Sequence, residues 1–168
     1  MPRPLPFLLI ALAACGGPAL RDAGSPRTTR DSADSAFVLV QARGHTAMGV
    51  DQYTSSHRFE PLPDGGRISL QRDPGDSAGV AKIRSHMIRI AEAFGRGDFN
   101  LPGFVHDREV PGTAVMTAGR ARINYVVDTL PGGGQLRLIT GDPTVLTAIH
   151  EFLDFQRHDH RAGDETAH

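Results

Sequence analysis

The chain has 168 residues, a formal net charge of −1, and 18 basic against 19 acidic side chains that are interspersed. There is no basic stripe of the kind that marks nucleic-acid binding. A single cysteine, Cys15, excludes an internal disulfide and a cysteine-based zinc site.

The N-terminus carries an apolar run over residues 5–14 behind Arg3. It is too short to cross a bilayer as a helix, which takes roughly 20 residues, and it fits the core of an export signal. Leu12-Ala13-Ala14-Cys15 resembles the lipobox of bacterial lipoproteins. That resemblance implies cleavage after residue 14, acylation of Cys15, and a lipid bilayer as the first partner. Gly16 at the following position, in place of Asp, implies the outer membrane, facing the periplasm. About 150 residues then remain, enough for one domain with its own core.

Residues 16–36 have few large apolar side chains and read as a flexible tether of about 25 Å reach. Residues 37–40, Phe-Val-Leu-Val, read as a first strand opening a domain over 37–160. Strand-like runs at 56–62 and 67–72 flank Pro63-Asp64-Gly65-Gly66, a hairpin signal. With Asp64-Gly65 as the turn, Phe59 pairs with Leu70 and Pro61 with Ile68. Asp76 or Ser77 then caps a helix to about Phe94, with Val80, Ile83, Met87, Ile90, Ala91 and Phe94 at helical spacing. Gly95 and Gly97 end it.

Residues 96–119 contain Pro102, Gly103, Pro111 and Gly112 and read as a long loop, a type of segment that often carries function. A second unit repeats the order of the first. Runs at 122–130 and 135–140 flank Pro131-Gly132-Gly133-Gly134, and Asp142-Pro143 opens a helix whose Val145, Ile149, Phe152, Leu153 and Gln156 share one face. Leu62 to Leu70 matches Leu130 to Leu138 closely enough to indicate an internal ββα duplication. The expected fold is therefore α+β: a four-stranded antiparallel sheet with two helices on one face. Residues 161–168 read as a disordered tail.

The chain has eight histidines, all beyond Cys15. His57 falls on the apolar face of the first hairpin. His86 and His150 flank the apolar stripes of the two helices. Gln156, Asp159 and His160 continue the core-facing stripe of the last helix, where apolar residues are the rule. His106 and Met116 lie in the long loop and could close over a pocket there. The pattern gives a candidate metal set of His57, His86, His106, His150 and His160, with Asp107, Gln156 and Asp159 as orienting partners. Imidazole suits Zn, Cu or Ni, and Met87 or Met116 would lean toward Cu(I). The alternative is that each histidine is a separate, hydrogen-bonded, half-buried side chain. His45 and Met48, beside Gly44 and Gly49, read as solvent-facing.

From about Val50 to Asp164 the chain resembles a group of small exported bacterial proteins of unassigned function. The likeness rests on Thr54-Ser55-Ser56-His57-Arg58-Phe59, the Asp64-Gly65-Gly66 turn, Ile83-Arg84-Ser85-His86, Gly97-Asp98-Phe99, Val105-His106 and Val110-Pro111-Gly112. It continues through His150-Glu151-Phe152-Leu153-Asp154-Phe155-Gln156 to Asp159-His160. Some of that group are labelled aspartate carbamoyltransferase; the Ser-Thr-Arg-Thr-Arg phosphate loop of that activity is not in this sequence.

Three functions are open at this point. One is an envelope lipoprotein that binds a metal or small ligand through histidines. Another is a tethered, non-catalytic interaction module presenting a sheet edge or the long loop to a protein partner. The third is a hydrolase or transferase, for which there is no Gly-x-Ser-x-Gly elbow, no His-Glu-x-x-His and no paired carboxylates.

Overall fold

A computed structural model describes residues 29–162. Cys15, the lipobox, most of the expected tether and residues 163–168 lie outside that range. The elements are α1 (Thr29–Met48), β1 (Ser55–Leu62), β2 (Gly65–Arg72), α2 (Ser77–Gly95), α3 (Asn100–His106), α4 (Thr113–Ala118), β3 (Asn124–Leu130), β4 (Gly133–Ile139) and α5 (Pro143–Asp159). The fold is α+β. Its antiparallel sheet has the order β1-β2-β4-β3.

The sheet buries one face. Phe59, Ile68, Leu70, Leu136 and Leu138 point inward, as period-two alternation requires. They meet Ile83, Met87, Ile90 and Phe94 of α2 and Val145, Ile149, Phe152 and Leu153 of α5. Both helices begin on the expected aspartates. The Asp76 side chain accepts from the Gly79 N–H, and that of Asp142 accepts from the Thr144 and Val145 N–H groups, with Pro143 in the first turn.

The hairpin register is shifted by two from expectation: Phe59 faces Ile68, His57 faces Leu70 and Pro61 faces Gly66. The two-residue turn is Pro63-Asp64, with Leu62 opposite Gly65. A shift of two leaves every side chain on its face. The turn moves because Gly65 adopts φ +144° where β2 meets β4 and so belongs to the strand. A Cβ there would lie 1.8 Å from the Leu138 carbonyl oxygen.

The two units interlock. Ile68 and Leu136 hold the same place in the repeat and pair directly, so the units meet about a local twofold at the centre of the sheet. The helix of each unit lies over the hairpin of the other: α2 on β3 and β4, α5 on β1 and β2. One polar side chain per helix fixes the crossing. Arg84 donates to the Leu130 and Gly133 carbonyls. His150 Nε2 lies 2.9 and 3.0 Å from the carbonyls of Leu62 and Gly65, the equivalent pair in the other hairpin. Arg84 and His150 stand the same number of residues after their helix caps. Replacing either by Ala strands carbonyls at a turn, and each variant is expected to lose about 1–3 kcal/mol in urea unfolding. An unchanged midpoint would show that these bonds do not tie the units.

Two expected segments differ. Residues 37–40 are part of α1, not a strand, and 29–36 of the expected tether belong to the same helix. Phe37 is half-buried, and Val40, Gly44 and Met48 are buried, one above another at i, i+4, i+8, while Val38 and Leu39 face outward. A four-residue apolar run does not separate helix from strand; that longer spacing does. The expected long loop holds α3 and α4, with Pro102 in the first turn of α3, where a missing N–H costs little. Arg161 and Ala162, placed in the expected tail, also pack on the domain. Arg161 pairs with Asp34 and its guanidinium lies 4.4 Å from the centre of the Phe37 ring.

Candidate functional site

A cavity of about 70 Å³ lies between the β1 end of the sheet, α2, α3, the end of α5 and α1. That volume holds a few water molecules, an ion with its ligands, or a molecule of a few heavy atoms. Its wall includes His57, His86, His106 and His160, together with Met48, Met87 and Gln156. Phe59, Phe94 and Phe152 supply much of the apolar remainder.

Each imidazole arrives on a different segment. His57 shares the inward face of β1 with Phe59. His86 is on α2, one residue before the core residue Met87, and is 7% exposed. His106 is the last residue of α3, which Asp107 ends in a left-handed conformation, φ 55°. His160 caps the C-terminus of α5. The ring centres of His57 and His160 are 5.4 Å apart, and those of His106 and His160 are 5.0 Å apart. Phe59 stacks on His160 at 5.4 Å and lies 5.4 Å from His57.

Three of the four rings differ in their partners. His106 is fully committed: Nδ1 lies 2.5 Å from Asp159 Oδ2 and Nε2 lies 2.9 Å from Gln156 Oε1. Asp159 is held on its other oxygen by Arg108 at 2.6 Å, and Arg108 in turn covers the Phe155 ring. His86 and His160 are different, because Nδ1 of each is buried without a hydrogen-bond partner among the described residues. Buried polar atoms in folded proteins are nearly always paired, so each orphan requires an explanation.

Burial governs the charge of these rings. It lowers the His57 pKa to about 3, with a further contribution from His86, and the His86 pKa to about 4, with a further contribution from Arg89. His160 is held well below the ordinary histidine value, first by burial and then by His57 and His106, against the opposing pull of Asp159. All three are neutral near pH 7, so each presents one nitrogen lone pair and one N–H.

Four of the five histidines singled out in the sequence thus line one cavity. The fifth, His150, does not; its ring is spent on the hairpin carbonyls of Leu62 and Gly65. Of the three expected orienting partners, Gln156 and Asp159 both hold His106, whereas Asp107 is 76% exposed and pairs with Arg43 of α1. Met116 is core, fully buried and not part of the cavity wall. Met48, expected to face solvent, instead forms part of that wall; the helical spacing of Phe37, Val40, Gly44 and Met48 is the faint sequence signal for it. His45 is exposed, as expected.

Among the described residues, no three His, Cys, Asp or Glu side chains are arranged as a ready metal cage. Among the same residues, the cavity wall offers imidazoles, thioethers and one amide, and no hydroxyl, thiol or carboxylate side chain. The arrangement suits holding a ligand by lone-pair and N–H contacts in apolar surroundings. No protein-family model, curated protein or solved structure matches this chain.

Proposed function

We propose that this protein is an exported lipoprotein, anchored by acylated Cys15 at the outer membrane and facing the periplasm, that binds a transition metal or a small ligand among His57, His86 and His160. The observation that carries the binding half is the pair of orphaned nitrogens. His86 Nδ1 and His160 Nδ1 are buried without a hydrogen-bond partner among the described residues, on two rings of a cavity wall to which four separate segments contribute imidazole. An unmet nitrogen costs about 1–3 kcal/mol, which an occupant of the cavity would recover. His106 has a supporting part, holding the end of α3 to the end of α5 through Gln156 and Asp159.

The anchoring half is supported by the lipobox in the sequence. Several acyl chains hold a protein to a bilayer where one binds only reversibly. No helix among the described residues is long and apolar enough to cross a membrane. The likeness to exported bacterial proteins of unassigned function points to the same compartment.

Native mass spectrometry of the full chain, produced in a bacterium and purified without a His-tag, reads both halves. The expected mass is that of a chain starting at Cys15 plus acyl groups, with one bound equivalent that disappears in a combined His57→Ala, His86→Ala and His160→Ala variant. An unmodified Cys15 contradicts anchoring. Identical adducts on wild type and variant, or none on either, contradict binding.

A further inference from the structure

We infer that the occupant of this cavity is a soft monovalent metal cation of the Cu(I) class, held by two imidazoles and a thioether. This inference rests on the binding half of the proposed function and narrows it. Three features of the wall carry it.

The first is charge. Among the described residues, no carboxylate lines the cavity. Asp159, the acid that bonds His106, is also paired with Arg108, whose charge offsets part of its own. The cost of moving an ion out of water grows as the square of its charge, so a divalent ion would lose about four times as much as a monovalent one. Neutral donors do not offset that difference.

The second is donor type. Met48 and Met87, from two different helices, contribute to the same wall as His57, His86 and His160. Thioether and imidazole together favour Cu(I) over hard or borderline divalent ions. Sequence-wide, the protein has four methionines, and Met1 lies in the export signal. Two of the remaining three therefore meet at this cavity.

The third is coordination number. No three His, Cys, Asp or Glu side chains among the described residues surround one point. This disfavours the four-ligand cages of divalent zinc. Cu(I) is satisfied by two or three ligands, of which one can be sulfur. A metal about 2.0 Å from one nitrogen of each of two rings sits about 3.1 Å from their centres. Rings 5.4 Å apart, as those of His57 and His160 are, are close enough for both to reach one metal at that distance.

The test is an anaerobic titration of the full chain, purified without a His-tag, with Cu(I) against a chromophoric Cu(I) chelator, and separately with Zn(II) against a zinc indicator. One equivalent of Cu(I) is expected, bound at least about 100-fold more tightly than Zn(II). X-ray absorption is expected to show a mixed nitrogen and sulfur shell. Met48→Leu, which conserves volume and so should leave the unfolding midpoint nearly unchanged, is expected to weaken Cu(I) at least about tenfold. His160→Ala, or His160→Gln should the former unfold, is expected to remove tight binding. Zn(II) binding as tightly as Cu(I), or an absorption shell without sulfur, overturns the inference and leaves the cavity as a ligand site. The same holds if neither metal binds but a non-metal molecule co-purifies and is lost in the triple histidine variant. Absence of any occupant overturns both.

Discussion

Between pH 6.5 and about 4.5 the domain is expected to lose several kcal/mol of stability, a window in which most proteins of this size change little. His57 and His86 remain neutral in the fold down to about pH 3 and about 4, and His160 is held low in the same way. In the unfolded chain each returns to the ordinary value near 6.5. Below that value the unfolded state binds protons that the folded state refuses, so stability falls as pH falls. His57 and His86 each contribute a slope of up to about 1.4 kcal/mol per pH unit, or about 2–3 kcal/mol at pH 4.5, and His160 adds in the same direction. The depressed carboxylates Glu60 and Asp142 act in the same direction but only below the ordinary carboxylate range, so the two windows separate. Urea unfolding at half-unit pH steps reads the slope directly. His86→Phe keeps an aromatic ring, removes one linked proton, and is expected to flatten the slope by about a third. A stability that stays level from pH 6.5 to 4.5 would mean that these rings are hydrated and titrate normally.

The second large effect is expected at Gly65→Ala, with a loss of about 4 kcal/mol or more. The added methyl would sit 1.8 Å from the Leu138 carbonyl oxygen and 2.8 Å from its carbon. Both are backbone atoms of the central β2–β4 pair, so no side-chain rotation relieves the overlap. The positive φ of +144° adds strain for any side chain. A domain of net stability near 5–15 kcal/mol can lose most of its folded population this way. Gly141→Ala is the matched control, since nothing lies within 4 Å of the added carbon. Equal midpoints for the two variants would show that β2 and β4 do not meet as described.

Most of the sheet and both long helices of the repeat were legible in the sequence because each has a local cause. Asp76 and Asp142 announce the caps of α2 and α5, and the apolar spacing after each announces the buried face. The hairpins were legible to within two residues, since turn glycines mark a region more clearly than a register. The first helix is hidden in the sequence because its inward positions, Val40, Gly44 and Met48, include one glycine and only two large apolar residues, while Val38 and Leu39 supply the apolar look on the wrong side. The histidines divide in the same way. The pleat gave His57, and the polar end of the last helical stripe gave Gln156, Asp159 and His160. The position of His150 depends on which hairpin α5 crosses. That is a relation between the two units, and Arg84 reveals it only once both are seen to grip equivalent carbonyls.

Two-bond ¹H–¹⁵N correlation spectra of the imidazole nitrogens report protonation, tautomer and ligand contact for every histidine in the full chain. At pH 6 the His57, His86 and His160 rings are expected to be neutral, and adding Cu(I) is expected to shift a nitrogen in at least two of them while His45 and His150 stay fixed. Protonated rings at pH 6, or shifts confined to His45 and the other exposed histidines, would contradict a shared, dry, ligand-holding cavity.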